Sequence, residues 1–206
     1  MFRQPYVLGM ARPRRFDRAD ALQAAMEVFW TNGYAGSSAD TLIKEMGIAR
    51  QSLYDTFGNK RALYLEALRA YSAGNVRALI QVLRAETSPL AAIRSVLLAP
   101  VLLSPEDRKK GCFGINAICE FGVSDPDVRG AGASGQAALD ATIEHLLEEA
   151  KDKGEVRPDL SVRAACNFIG CTLAGLKVVG RAGAPSEAMR EIVEVAIAAL
   201  RAQPAG

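Results

Sequence analysis

Histidine is nearly absent from this chain: 206 residues contain one, His145. A lone imidazole excludes histidine-built metal centres and leaves a thiol or hydroxyl nucleophile only one ordinary base. His145 sits in Ile143-Glu144-His145-Leu146-Leu147-Glu148-Glu149, a pattern suited to the outer side of a helix. No second catalytic partner, phosphate-cradling glycine loop or metal-ligand cluster accompanies it, so the chain reads as a non-enzyme with no cofactor and no metal. Cysteine is sparse, and Cys112, Cys119, Cys166 and Cys171 fit neither zinc nor thioredoxin spacing. In a reducing compartment all four stay thiols, and Cys119, Cys166 and Cys171 are expected as small buried hydrophobes. Long apolar runs are missing too. The longest, Val96 to Leu103, is broken by Pro100 and falls short of the ~20 residues a bilayer requires. Residues 2–9 hold no apolar stretch of signal-peptide length, so a cytoplasmic location without a membrane partner is expected. Internal repeats, low-complexity linkers and strand-like alternation are also lacking, which leaves an all-α chain.

What is present is a composition of 50% hydrophobic and 23% charged residues, enough to bury a sizeable core. The net charge of +2 conceals an asymmetry: residues 1–61 hold nine Lys/Arg against six Asp/Glu, while the remainder is slightly acidic. Arg3, Arg12, Arg14, Arg15 and Arg18 face only Asp17. Residues 1–15 thus read as a flexible basic arm able to follow a phosphate backbone, or as a merely solubilising tail.

The segment Ser37–Lys60 carries the most information. Ser37 is placed to cap a helix with Asp40 reaching back; Leu42, Ile43 and Met46 form one apolar stripe, and Gly47 stands where a left-handed residue ends the helix. A second short helix follows, with Ile48, Leu53 and Phe57 facing inward and Ala49, Arg50, Gln51, Ser52, Asp55 and Thr56 outward. Arg, Gln and Ser side chains suit base edges and phosphates in a major groove. The same pattern also fits helical proteins that never touch DNA. Tyr54 is equally placed to reach outward or to pack.

Gly47-Ile48-Ala49-Arg50-Gln51-Ser52-Leu53-Tyr54-Asp55-Thr56-Phe57-Gly58-Asn59-Lys60, preceded by Gly33-Tyr34-Ala35-Gly36-Ser37-Ser38, resembles the recognition-helix signature of the TetR family of regulators over about residues 16–68. The resemblance implies a helix-turn-helix DNA-binding domain over 16–61 with three helices and a helical ligand-binding and dimerisation domain over 62–206. It implies phosphate contacts for Ser37, the neighbouring Ser38, Tyr54 and Lys60, and base contacts for Arg50, Gln51 and Ser52, with Arg14 and Arg15 assisting from the arm. Asp55 and Thr56 depart from the aromatic or histidine common in relatives, so the operator is not transferable from them. Met10 and the Ala-Arg-Pro-Arg-Arg that follows resemble the usual start of such regulators.

Helical spacing predicts a first helix over 18–32 with Leu22, Ala25, Met26 and Phe29 inward, then a long helix over 60–84 that the family uses as a lever. Further helices are expected near 89–103, 112–122, 126–153, 161–181 and 186–202. The last two are apolar enough for core, and in the family they form a four-helix dimer interface, for which Ile169, Leu173, Leu176, Ile192, Ala196 and Leu200 are candidates. Leu102, Cys112, Phe113, Ile115, Asn116 and Phe121 are candidates for a ligand pocket, although a buried Asn satisfied by a nearby carbonyl is an ordinary core feature. Cys112 follows Arg108, Lys109, Lys110 and Gly111 at a helix start, where dipole and cations favour thiolate. Gly111-Cys112-Phe113 also resembles a TetR subgroup containing electrophile sensors, in which Lys177 would assist; an inert helix-start residue is the alternative. The expected partners are double-stranded DNA, a second copy of the chain and a small-molecule inducer of unknown identity. A cysteine-based sensing regulator and an architectural DNA-binding factor without a ligand are the other readings.

Overall fold

The computed structural model describes residues 16–202, which form eleven α-helices: α1 (Arg18–Asn32), α2 (Ala39–Met46), α3 (Arg50–Phe57), α4 (Lys60–Arg84), α5 (Pro89–Leu98), α6 (Pro105–Lys110), α7 (Phe113–Phe121), α8 (Pro126–Gly130), α9 (Ala133–Asp152), α10 (Val162–Arg181) and α11 (Ser186–Leu200). A single 3-10 turn, Gly122–Ser124, follows α7, and one isolated bridge joins Val156 to Arg201. The basic arm with Arg14 and Arg15 lies outside the described residues.

The helix ends follow local chemistry. The Asp17 carboxylate accepts from the amides of Ala19 and Asp20 to start α1, and Gly33, at φ 71°, ends it. Asn59 accepts from the Ala62 amide to open α4. That helix has 25 residues, about 37 Å at 1.5 Å per residue. Its first half enters one core and its second half another. The N-terminal core joins Phe29, Leu42, Leu53, Leu63, Tyr64 and Leu68, and it also takes in Phe113, Ala117 and Val128 from the later helices. The second core gathers Val76, Leu79 and Leu83 of α4 with α5, α9, α10 and α11. One helix is thus shared by two cores.

Several boundaries differ from the sequence reading. The stripe of α1 is centred on Ala21, Ala25, Val28 and Phe29, with Leu22 and Met26 half-buried at its edges, because α1 packs on both α2 and α4. The helix expected over 89–103 stops at Leu98, just ahead of Pro100, which supplies no amide to extend it. The chain restarts as α6, where Ser104 caps, Pro105 opens and Glu106 and Asp107 occupy the first turn. The helix expected over 126–153 is split at Ala131-Gly132, where a Cβ on Gly132 would lie 3.3 Å from the Ser72 hydroxyl oxygen of α4.

The interface residues require correction. Ile169, Leu173, Leu176, Ala196 and Leu200 are all buried in the protomer's own core, because the most regular stripes of α10 and α11 face α5 and α9. Only Ile192 is exposed, and the open apolar side chains of these helices are Phe168, Val178, Ile192 and Val195. α10 is long and apolar enough to cross a membrane, with mean hydropathy 1.4, but Ala165, Cys166, Ile169, Leu173 and Leu176 pack it into the helical core. Of the three cysteines expected inside, only Cys166 is buried, and burial pushes its thiol up to about 11; Cys119 and Cys171 are exposed because they fall on the outer faces of α7 and α10.

Candidate functional site

Two short helices, α2 and α3, meet across Gly47, whose φ of 65° and ψ of 30° are left-handed. That conformation lets the Gly47 amide donate to the Ile43 and Lys44 carbonyls and turn the chain sharply. Ser38, not Ser37, caps α2: its hydroxyl oxygen accepts from the Thr41 amide at 3.0 Å. Ser37 is fully buried and donates to the Gly33 carbonyl at 2.6 Å, so its side chain fastens the α1–α2 turn and is not placed to meet a phosphate. Asp40 does not reach back to a capping serine but pairs with Arg50 across the turn.

Ile48, Leu53 and Phe57 are buried, which turns the other side of α3 to solvent. Arg50, Gln51, Tyr54 and Asp55 are exposed there and Ser52 is half-buried. No side chain caps α3, so the first amides of this exposed helix have no side-chain acceptor. The Gln51 amide donates to Asp55 at 2.8 Å, and with the Arg50–Asp40 pair this leaves the Arg50 and Gln51 donors held by two acids. Tyr54 is 42% exposed. The Lys60 ammonium sits 4.3 Å from the Tyr34 ring centroid at the start of α4.

A second site is a cavity of about 370 Å³ between α4, α7, α8, α9 and α10. Cys112, Ile115 and Lys177 line it; Leu102, Phe113, Asn116 and Phe121 do not. Leu102 is 66% exposed beyond the end of α5. Phe113 is buried between Tyr64 and Tyr71, with ring centroids at 5.4 and 5.6 Å. Asn116 donates to the Lys110 carbonyl at 3.1 Å and accepts from Arg181, tying α7 to its neighbours. Phe121 packs on Tyr34 and Tyr64, each at 5.5 Å. Both aromatic candidates therefore belong to the N-terminal core rather than to the cavity. The cavity's polar wall was missed: Tyr71, Ser72 and Asn75 of α4 and Gln136 and Asp140 of α9. Their signal is present in the sequence, since Leu68, Tyr71, Ser72, Asn75, Val76 and Leu79 follow one helical stripe in which three members are polar.

Two of the three cations expected to activate Cys112 are engaged elsewhere, and the third, Lys109, is exposed. Lys110 pairs with Glu27 at 3.1 Å, and Arg108 donates to the Ser186 hydroxyl at 2.6 Å. The neighbour of the Cys112 thiol is Tyr71, whose hydroxyl is raised above the usual tyrosine range by burial and then by that thiol.

α7 joins the two sites. Gly114, Ile115 and Ile118 of this helix line the cavity while Phe113, Ala117 and Phe121 enter or pack against the N-terminal core. Glu120, near its end, accepts from the amides of Tyr34 and Ala35 at 2.9 and 2.8 Å, capping the turn that leads into α2. Trp30 donates to the Gly111 carbonyl at 3.2 Å just ahead of α7.

Known proteins share this arrangement. Residues 21–67 match the profile of bacterial regulatory proteins of the tetR family, and residues 89–199 match a tetracyclin repressor-like C-terminal domain. The HTH-type transcriptional regulator YezE of Bacillus subtilis is 34% identical over 193 residues, 93% of this chain and 100% of that protein. The HTH-type transcriptional repressor ComR of Escherichia coli is 28% identical over 183 residues, 88% and 87% of the two chains. Among solved structures, a cysteine mutant of the TetR family regulator CifR in complex with 26-bp double-strand operator DNA is 29% identical, with a TM-score of 0.76 over 92% of this chain and 100% of that one. FadR of Bacillus subtilis in complex with stearoyl-CoA shares the fold at 18% identity and a TM-score of 0.71.

Proposed function

The chain belongs to the TetR family of transcriptional regulators, and from that membership we propose that it acts as a ligand-responsive repressor, a homodimer on a palindromic operator. The observation that carries this reading is the outer face of α3, polar, exposed and uncapped at its N-terminus beside the left-handed Gly47 turn. Arg50, Gln51 and Ser52 face the bases; Ser38, Tyr54, Lys60 and the free α3 amides hold phosphates, with Arg14 and Arg15 adding charge from the arm. To reach bases, Arg50 exchanges its Asp40 partner for DNA, so part of the affinity offsets that lost pair.

Two-fold operators need two recognition helices, and the open apolar stripe of Phe168, Val178, Ile192 and Val195 supplies a self-complementary face for pairing. Functionally the chain divides at 61/62, inside α4, so that the helix entering the DNA-binding unit is also a wall of the cavity. An inducer in that cavity must bind the operator-free dimer more tightly than the DNA-bound one, since a ligand shifts an equilibrium only by its differential affinity. A second reading, sensing of electrophiles through Cys112 as in the subgroup with the Gly-Cys-Phe motif, draws support from Cys112 and Lys177 lining the same cavity. Operator affinity unchanged after alkylation by N-ethylmaleimide rejects it.

The deciding experiment is selection of bound genomic fragments by the purified protein and by Arg50→Ala, each at two salt concentrations. A palindromic site lost in the variant supports the proposal. Salt-sensitive binding without a preferred site, equal in both proteins, means that Arg50 reads no base and that an architectural role replaces it.

A further inference from the structure

The cavity is chemically polarised along its length. Lys177 and Gly170 of α10 both line it, two turns and about 10 Å apart. Lys177 marks one end. A turn beyond it, Arg181 abuts Gly111, next to Cys112, and Tyr71 lies against the Cys112 thiol. Asp140 marks the other end, since its carbonyl accepts from the Cys166 thiol one turn before Gly170, and its carboxylate is occupied by the Gln136 amide at 2.7 Å. Between the ends lie the apolar Val76, Leu139, Ile143 and Leu173, with Ser72 and Asn75 of α4 and Arg129 of α8 also on the lining.

Lys177, half-buried as a residue, makes no ion pair or hydrogen bond among the described residues. Burial keeps the Tyr71 hydroxyl protonated, so it meets a ligand as a donor. The lining therefore carries two cations, Lys177 and Arg129, and the Tyr71 hydroxyl against one acid, Asp140, which lies two turns from Lys177 and already accepts from Gln136. Unpartnered charge inside a mostly apolar cleft is costly unless a ligand supplies the counter-charge.

We infer that the cavity takes a small amphipathic monoanion, its carboxylate held by the Lys177 ammonium and the Tyr71 hydroxyl and its apolar body lying along Leu139, Ile143 and Leu173. The inference rests on the ligand-responsive reading above and names the chemistry of its ligand. An extended chain of about eight carbons covers the ~10 Å between the two ends. The carboxylate end abuts the start of α7, so occupancy is felt by the helix whose other face holds Phe113 and Glu120 against the DNA-binding core.

Calorimetric titration of the full-length protein with octanoate, octanol and octylamine tests this. Octanoate is expected to bind roughly tenfold more tightly than octanol, the factor of one charge-assisted contact, and octylamine not at all. Lys177→Met removes the octanoate advantage and leaves octanol unchanged, Lys177→Arg retains it, and Tyr71→Phe reduces it in part. Equal binding of octanoate and octanol by the wild type, preferential binding of octylamine, or no heat with octanoate overturns the inference, and these wild-type comparisons decide even where a variant misfolds. The fragment selection above is scored separately: a selected operator without octanoate binding rejects the anion alone, whereas failure to select any site rejects the regulator reading whatever binds the cavity.

Discussion

Ser37 and Ser38 show how one residue of displacement separates two roles. Ser37 donates into the N-terminal core, and Ser38 accepts an amide at the surface start of α2. Removing the Ser37 hydroxyl leaves the half-buried Gly33 carbonyl without that donor, a loss on the order of 1 kcal/mol. Ser37→Ala is accordingly expected to lower the urea midpoint by that equivalent while operator affinity of the folded protein stays the same; a variant with normal stability and weakened DNA binding would restore Ser37 to the phosphate contacts. Both serines fit N-cap spacing, and the choice between them is tertiary, made by how the α1–α2 turn folds over Val28 and Gly33. The same limit hid the Asp40–Arg50 pair, which joins two helices across a turn that spacing alone leaves undetermined in angle.

Among the elements, α4 runs through both cores while α7 faces the cavity on one side and the N-terminal core on the other, and the segment after α7 is clamped by charge. Arg61 of α4 donates to Asp125 at 2.8 Å and to Asp127 at 3.3 Å, anchoring α8 beside the aromatic cluster. The Arg61 guanidinium holds the Asp125 carboxyl below the usual carboxylate range. A carboxyl lowered in the folded state adds stability above its unfolded value and loses it as pH falls through the folded one. The melting temperature of the wild type should thus drop more steeply than that of Asp125→Asn as pH falls below about 4. Parallel curves would mean that the clamp contributes nothing at equilibrium. Helix ends set by local caps were legible: α1 and α4 match the sequence reading because Gly33, Asn59 and the intervening periodicity act within a few residues. The break at Gly132 was not; it lies where the chain passes close to Ser72, sixty residues earlier, and the exposure of Leu102 follows from where α5 stops.

For the whole molecule, the issue is which apolar face is inside the protomer and which lies between protomers. Periodicity on α10 and α11 identified apolar stripes but not their partners, because a core and an interface are built from the same residues, and the more regular stripe went to the core. Leu176→Ala is therefore expected to destabilise the fold by roughly 3 kcal/mol, as truncation in a packed core does. Val195→Glu, at a position 70% exposed, should instead leave the fold intact, sediment as a monomer and lose operator affinity. A dimeric Val195→Glu protein would place the interface elsewhere. The joint between the halves carries a further consequence. Trp30 is the chain's single tryptophan, and it lies there with its indole bonded to the Gly111 carbonyl, Tyr71 edge-on at 4.8 Å and the Lys110 ammonium 5.4 Å from its ring. Its fluorescence is consequently a built-in optical gauge of that seam: any change in how α7 sits on α1 alters the field at one chromophore, and the emission maximum follows it without a label.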